Sequence, residues 1–275
     1  MNRIECVIMD WAGTSIDYGC FAPIAAFVRS FGELGIDIKP EEARRPMGLN
    51  KKDHIRALFE MEHIRACFYN KYGREYNETD VQKCYDGFRK LILASLREYT
   101  DPIPHVIEVV EKLREQGIKI GSTTGYTKEM MDIVIPEAEA KGLRVDHCVT
   151  ADGLPGGRPF PYMIYKNMCD LAVPSRFSVL KYGDTISDIE EGVHAGVWSV
   201  GVVMGGNELG LSPSEVYALP VEELQRRVKE VRMRMYAAVA HYVVVDSAED
   251  LPTLIESIND LSLIHISEPT RLRCI

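Results

Sequence analysis

Asp10 closes the apolar run "ECVIMD" (5–10), Asp184 closes "SVLKYGD" (178–184), and Asp188 follows four residues later. A third run, "IKIGSTTG" (118–125), ends in Thr124 and Gly125, and Arg158 stands in "GGRPFP" (156–161). In an open α/β sheet, ligands gather outside the carboxyl ends of the strands, so these groups are expected at one edge. Together they suit a phosphoryl group. Asp10 can attack phosphorus and carry an aspartyl-phosphate. Asp10 and Asp184 are hard oxygen ligands of the kind Mg2+ selects. Thr124 and nearby backbone N–H groups can hold phosphate oxygens, and Arg158 can neutralise charge as phosphorus is attacked. Each residue alone has a plainer reading, since a strand-terminal Asp often caps a turn. The combination and its order carry the argument.

Ala12 breaks the pattern. A phosphate-ester hydrolase needs an acid near that position to protonate the leaving alkoxide, and a methyl group cannot do so. Either the site is degenerate, or the leaving atom is not oxygen. The segment "RRPMGLNKKDHIRAL" (44–58) offers a way to decide. It follows a helix-breaking Pro46, and it places Lys51 and His54 at i and i+3 on one helical face, with Lys52 turned away. Alone, this is a solvated helix face. Beside a histidine and under a lid, however, Lys51 would lose proton affinity and could condense with a carbonyl. In a phosphonate with a carbonyl next to the phosphorus-bearing carbon, the iminium takes up the electrons of the broken carbon–phosphorus bond as an enamine. No alkoxide forms, and no acid beside Asp10 is required.

The elements that must position these residues alternate. Strands are expected at 5–10, 118–125, 145–150, 178–184, 197–203 and 241–246, all Val/Ile-rich and bounded by Gly, Asp or Thr. Helices fall between several of them. "PHVIEVVEKLREQG" (104–117) opens on Pro104 and closes on Gly117, and Ser212 to Glu215 is a capping box with Pro213 at the first position. Leu224, Val228, Val231, Met235 and Val239 mark one helical face turned to the core. The pattern predicts an α/β fold, a doubly wound parallel sheet of Rossmann type. Residues 20–99 lack a strong strand and read as helical, including 41–61 and a helix opened by Thr79 and Gln82 as a capping box. This is an inserted small α-helical cap. The expected division is 1–19 with 100–260 as the core and 20–99 as the cap. Residues 261–275, "LSLIHISEPTRLRCI", follow the natural end of a helix and resemble vector read-through, so they are set apart as a non-native tail.

Composition narrows the function further. The chain has 275 residues, 46% hydrophobic and 27% charged, ordinary for a globular protein. A net charge of −9 and the lack of a basic block argue against nucleic acid as a partner. No apolar run approaches the roughly 20 residues of a membrane span, and "IECVIM" is too short for a signal peptide. The cytoplasm is the expected location. Seven scattered cysteines with no CxxC pair read as reduced thiols. Six are expected to be packing residues, and Cys20, after the Asp10 loop, is placed to line the site.

The ordered set Asp10, Thr124, Arg158 and "GDTISD" with Asp184 and Asp188 resembles the haloacid dehalogenase superfamily over nearly all of residues 1–260. The helical insert after the first strand matches that superfamily's small cap. Within it, "DWAGTSIDYGCFAP", "RRPMGLNKKDHIRAL", "IGSTTGYTKEMMDIV", "GRPFPYMIYKN" and "GDTISDIEEG" resemble the phosphonatase family. The resemblance implies hydrolysis of phosphonoacetaldehyde to acetaldehyde and phosphate with Mg2+ as cofactor. It puts the nucleophile on Asp10 and the Schiff-base lysine on Lys51. It puts the metal on Asp10, the backbone carbonyl of Ala12 and Asp184, with Asp188 in support. Thr124, Gly125 and Arg158 become phosphate contacts. Cys20, Met47, His54 and Tyr126 become residues around the imine, His54 assisting proton transfer. The family implies a homodimer through cap helices and a small-molecule phosphonate as partner. The rival readings are a phosphatase or sugar phosphomutase acting on a phosphate ester, which needs no Lys51, and a non-catalytic binder that lost its acid at Ala12.

Overall fold

The computed structural model describes residues 3–245 and 248–267, the side chains of Ala248 and of 261–267 excepted. Six short strands form the sheet: β1 (Cys6–Met9), β2 (Lys119–Thr123), β3 (His147–Val149), β4 (Val179–Gly183), β5 (Trp198–Val202) and β6 (Tyr242–Val244). All pair in parallel, in the order β3-β2-β1-β4-β5-β6. This is the expected doubly wound α/β sheet, with its strand order reversing at β1.

Successive residues of a strand face opposite sides, and both sides here are covered. Val7 and Met9 of β1 belong to the core that contains α6 (Val106–Glu115), α7 (Lys128–Ala140) and α12 (Leu251–Ser267). Cys6 and Ile8 pack with α8 (Tyr162–Asp170) on the other face. There α9 (Ile186–Ala195) and α11 (Val221–Ala237) add a third apolar cluster, and α10 (Pro213–Ala218) precedes α11. Burial on both faces explains the near-continuous apolar runs of the sequence.

Between β1 and α6 the chain is helical: α1 (Phe21–Glu33), α2 (Pro40–Arg44), α3 (Lys51–Glu60), α4 (Glu62–Tyr72) and α5 (Glu78–Ser95). Aromatic rings fill the middle of this insert. Phe27 stacks on Phe88 at 4.2 Å between centroids, and Phe31 meets Phe59 at 4.9 Å.

Several local expectations are corrected. The helical pattern at 41–61 is interrupted by a turn at 45–50, where Pro46 and Gly48 cannot continue the α2 helix. The α5 capping box is Asn77 with Asp80, not Thr79 with Gln82. The Asn77 side chain accepts from the N–H groups of Thr79 and Asp80, and Asp80 accepts from the Asn77 N–H, so Thr79 already lies in the first turn. Pro104 stands outside α6, because His105 adopts a left-handed conformation before the helix begins. Val231 and Met235 are buried, but Val239 lies beyond the end of α11 and is exposed. Cys169 is exposed and is not a packing residue. The helix expected to end near residue 260 continues to Ser267; the rest of the 261–275 segment, with Cys274, lies outside the described residues. No described helix is long and apolar enough to cross a membrane.

Candidate active site

The register of the sheet brings the carboxylates together. Met9 pairs with both Ser122 and Tyr182, so β1, β2 and β4 end within one residue of each other. Beyond that level come Asp10, the Thr123–Thr124 pair, and Gly183 followed by Asp184. The Asp10 N–H donates to the Tyr182 carbonyl at 2.9 Å, extending the ladder to the nucleophile candidate itself. A tight turn then folds back, with the N–H groups of Thr14, Ser15 and Ile16 donating to the Trp11 carbonyl. At its tip Gly13 has φ +87°, and a Cβ there would collide with the Asp184 carboxylate. Glycine is required here for both reasons.

Asp10, Asp184 and Asp188 lie within one cluster, each offering an oxygen within 4.8 Å of the others. Asp184 accepts from the Thr14 hydroxyl at 2.6 Å and the Asn207 N–H at 2.7 Å. Burial pushes its carboxyl well above the usual carboxylate range, and the charges of Asp10 and Asp188 add to the effect. Asp188 is different. Burial opposes its charge, yet Arg158 and Lys181 hold it below its ordinary value. The Lys181 Nζ lies 2.7 Å from Asp188 and 3.6 Å from Glu191. Arg158 spans Asp10 at 2.8 Å, Glu191 at 3.0 Å and Asp188 at 3.1 Å, and also donates to the Thr123 carbonyl at 2.8 Å. Asp10, Asp188 and Glu191 thus share Arg158 and Lys181, whereas Asp184 makes no ion pair among the described residues. The all-oxygen donor set and that unpaired carboxyl fit Mg2+. Asp184 would hold it together with Asp10 from the same cluster, because Asp188 is engaged by both cations.

Across from the sheet edge sits the N-terminus of α3. Asn50 caps it, its side chain accepting from the Asp53 N–H at 3.0 Å. Lys51 is the first helical residue and is only 4% exposed. Its Nζ lies 4.9 Å from the Tyr126 ring centroid and 5.8 Å from that of Phe27. No ion pair of Lys51 occurs among the described residues. Burial lowers its pKa to about 8, against smaller opposing effects of Cys20 and Asp10; the positive end of the helix dipole acts in the same direction as burial. His54 shares this buried face. Its ring stacks on Phe27 at 3.9 Å, and Nε2 lies 2.9 Å from the Ala43 carbonyl. That contact makes Nε2 the protonated nitrogen and leaves Nδ1 a buried acceptor without a partner. Burial, and then the charge of Lys51, keep His54 well below its ordinary pKa. Lys52 points away and donates to Gln82 at 2.7 Å, as the helical spacing predicts.

A small cavity of about 20 Å3 joins the two sides. Its lining includes Asp10, Ala12, Cys20, Met47, Lys51, Thr124, Gly125, Tyr126 and Arg158, with Gly48 and Thr185. His54 is not on the lining; its ring packs against Phe27. The Thr124 hydroxyl accepts from the Tyr126 N–H at 3.0 Å, leaving its own proton to donate. Burial raises the Cys20 thiol and the Tyr126 phenol well above their ordinary values, so both are neutral.

Sequence reasoning missed four residues here. Lys181 and Glu191 complete the ion network. Asp17 is left-handed and buried, and its carboxylate accepts from the N–H groups of Phe21 and Ala22 at the start of α1. Burial raises Asp17 to about 6. Asn207 supports Asp184. Only Lys181 left a signal, a charge inside the apolar run "VLKYG".

The sequence model of the haloacid dehalogenase-like hydrolases matches residues 7–202. The chain belongs to that family and is a hydrolase. A phosphonoacetaldehyde hydrolase of Bacteroides fragilis is 58% identical over 259 residues, 94% of this chain and 98% of that one. One from Bacillus cytotoxicus is 50% identical over 262 residues, 95% of this chain and 99% of that one. Among solved structures, a phosphonoacetaldehyde hydrolase-like protein from Oleispira antarctica superposes with a TM-score of 0.91 at 38% identity, covering 94% of each chain. A β-phosphoglucomutase from Clostridium difficile, at 18% identity and a TM-score of 0.67 over 95% of this chain and 99% of that one, shares the fold.

Proposed function

We propose that the chain hydrolyses the carbon–phosphorus bond of phosphonoacetaldehyde, giving acetaldehyde and phosphate. The observation that carries this reading is the shared cavity. It places the amine of Lys51, from the helical insert, and the carboxylate of Asp10, from the strand end, on opposite sides of one small space, with Ala12 where an ester hydrolase needs an acid.

In this mechanism the neutral Lys51 amine adds to the aldehyde carbon, and loss of water leaves an iminium on Nζ. A pKa of about 8 keeps a useful fraction of the amine neutral near pH 7. Asp10 then attacks phosphorus as the phosphorus–carbon bond breaks. The bonding pair moves into an enamine, so the departing carbon needs no proton at that moment. Arg158 and Thr124 hold the phosphoryl oxygens as charge builds. Asp10, Asp184 and the Ala12 carbonyl would hold Mg2+, whose positive charge would let two anions approach. Protonation of the enamine carbon and addition of water release acetaldehyde and free Lys51. A second water cleaves the aspartyl-phosphate. His54, neutral and with Nδ1 unpaired, is the base beside Lys51 for these proton movements. Met47, Cys20 and Tyr126 wall the aldehyde end from water.

The helical insert acts as the cap, closing over the core. Pairing of two copies through the cap helices belongs to the same proposal, and light scattering that finds only monomers would remove it. The central test is borohydride reduction with phosphonoacetaldehyde present, followed by peptide mass spectrometry. A two-carbon adduct on Lys51 with loss of activity is expected. Substantial turnover by Lys51→Ala would overturn the imine step.

A further inference from the structure

Arg44, the last residue of α2, has no part in the chemistry above, yet it is fastened to the core from several directions. Its Nη1 donates to the Gly19 carbonyl at 2.7 Å and to Asn207 Oδ1 at 3.2 Å, and Nη2 reaches the Gly210 carbonyl at 3.4 Å. The guanidinium lies 4.9 Å over the Phe21 ring. Asn207 returns the contact, its Nδ2 donating to the Arg44 carbonyl at 3.2 Å, while its backbone N–H donates to Asp184 at 2.7 Å. The Arg44 carbonyl also accepts from the Met47 N–H at 3.0 Å. One residue therefore ties the turn that leads to Lys51 to the loop that steadies Asp184.

The seat is tight. A Cβ at Gly210 would stand 2.8 Å from Arg44 Nε, and one at Gly125 would stand 2.7 Å from the Leu49 carbonyl. A Cβ at Gly48 would collide with Thr185. The segment from Arg44 to Lys51 thus lies on the core with no room for side chains at three glycines. Arg44 and Asn207 contact each other in both directions, the Arg44 side chain donating to Asn207 Oδ1 and the Asn207 side chain to the Arg44 carbonyl, with a planar fork matched to divergent oxygen acceptors.

We propose that Arg44 and Asn207 are positioning residues that latch the helical insert closed and hold Lys51 over Asp10. The activity part of this inference rests on the reading of Lys51 and Asp10 as the reacting pair; the closure part does not.

Hydrogen exchange read by mass spectrometry on the full chain separates the two. In Arg44→Gln and Asn207→Ala, amides of residues 44–54 should exchange about ten-fold faster, while β1 and β4 keep their protection. Turnover of phosphonoacetaldehyde should fall about 10–100-fold, chiefly in kcat, with borohydride trapping at Lys51 retained. Arg44→Lys, which keeps the charge without the fork, should recover part of both. Unchanged exchange over 44–54 in Arg44→Gln would overturn the latch. Loss of protection across the whole sheet in both variants would overturn it too, because it would make the pair a general stability element. Retained turnover in Lys51→Ala would instead remove the reacting-pair reading and leave the exchange result to judge the latch.

Discussion

Lys51 and Lys181 are both buried lysines, and their surroundings differ in kind. Lys181 rises from the middle of a sheet strand between Asp188 and Glu191. Lys51 opens a helix of the insert and faces the rings of Tyr126 and Phe27, with no ion pair among the described residues. The first is a countercharge that, with Arg158, holds the buried Asp188 carboxyl below its ordinary value. The second is an amine made ready to lose its proton. Burial alone does not decide what a lysine is for; the oxygen atoms around it do.

The sharpest way to break this contrast is activity. Lys51→Ala and Asp10→Asn should each lower phosphate release from phosphonoacetaldehyde by about 1,000-fold or more, measured in steady state. Stability should then separate the lysines by sign. Lys181→Met removes a cation from a buried network, and urea unfolding at pH 7 should show a loss of about 3–5 kcal/mol. Lys51→Met should instead gain about 1–3 kcal/mol in the same assay. The sign follows from linkage. The folded-state value for Lys51 lies below the unfolded value of 10.5, so the unfolded chain takes up the proton more readily. That penalty is complete below about pH 8 and vanishes as pH rises to the unfolded value, and the gain should vanish with it. A smaller effect is expected in the pH profile. For wild type, kcat/KM should rise with pH and level off above about 8, as the Lys51 amine becomes neutral. Cys20→Asp, which sets an acid beside Lys51, should move that inflection upward by about one unit. The smallest change belongs to Val239→Ser, at an exposed position past the end of α11. Calorimetry should place it within about 0.5 kcal/mol of wild type.

Much of the core was legible because burial on both faces of a parallel sheet forces apolar runs, and these runs end where polar groups can face a ligand. Asp10, Thr124 and Asp184 were visible as the residues that end such runs. Element ends were less legible. Asn77 and Thr79 are both good caps, and each has a partner three residues on, Asp80 and Gln82, so the pattern alone did not choose between them. Glu191 and Asn207 carried no signal, since a Glu on a helix or an Asn in a loop is ordinary until its burial is known.

The sequence by itself determined the sheet, the strand-end carboxylates, the absence of an acid at position 12 and the presence of Lys51 on a helix after a break. Each depends on local patterning and on residue type. Tertiary structure alone decided that Lys51 is buried and lines one cavity with Asp10, that Arg158 and Lys181 both reach Asp188, and that Arg44 meets Asn207 across 163 positions of chain. Those outcomes depend on distance and desolvation between segments far apart in the chain, and no local pattern encodes either.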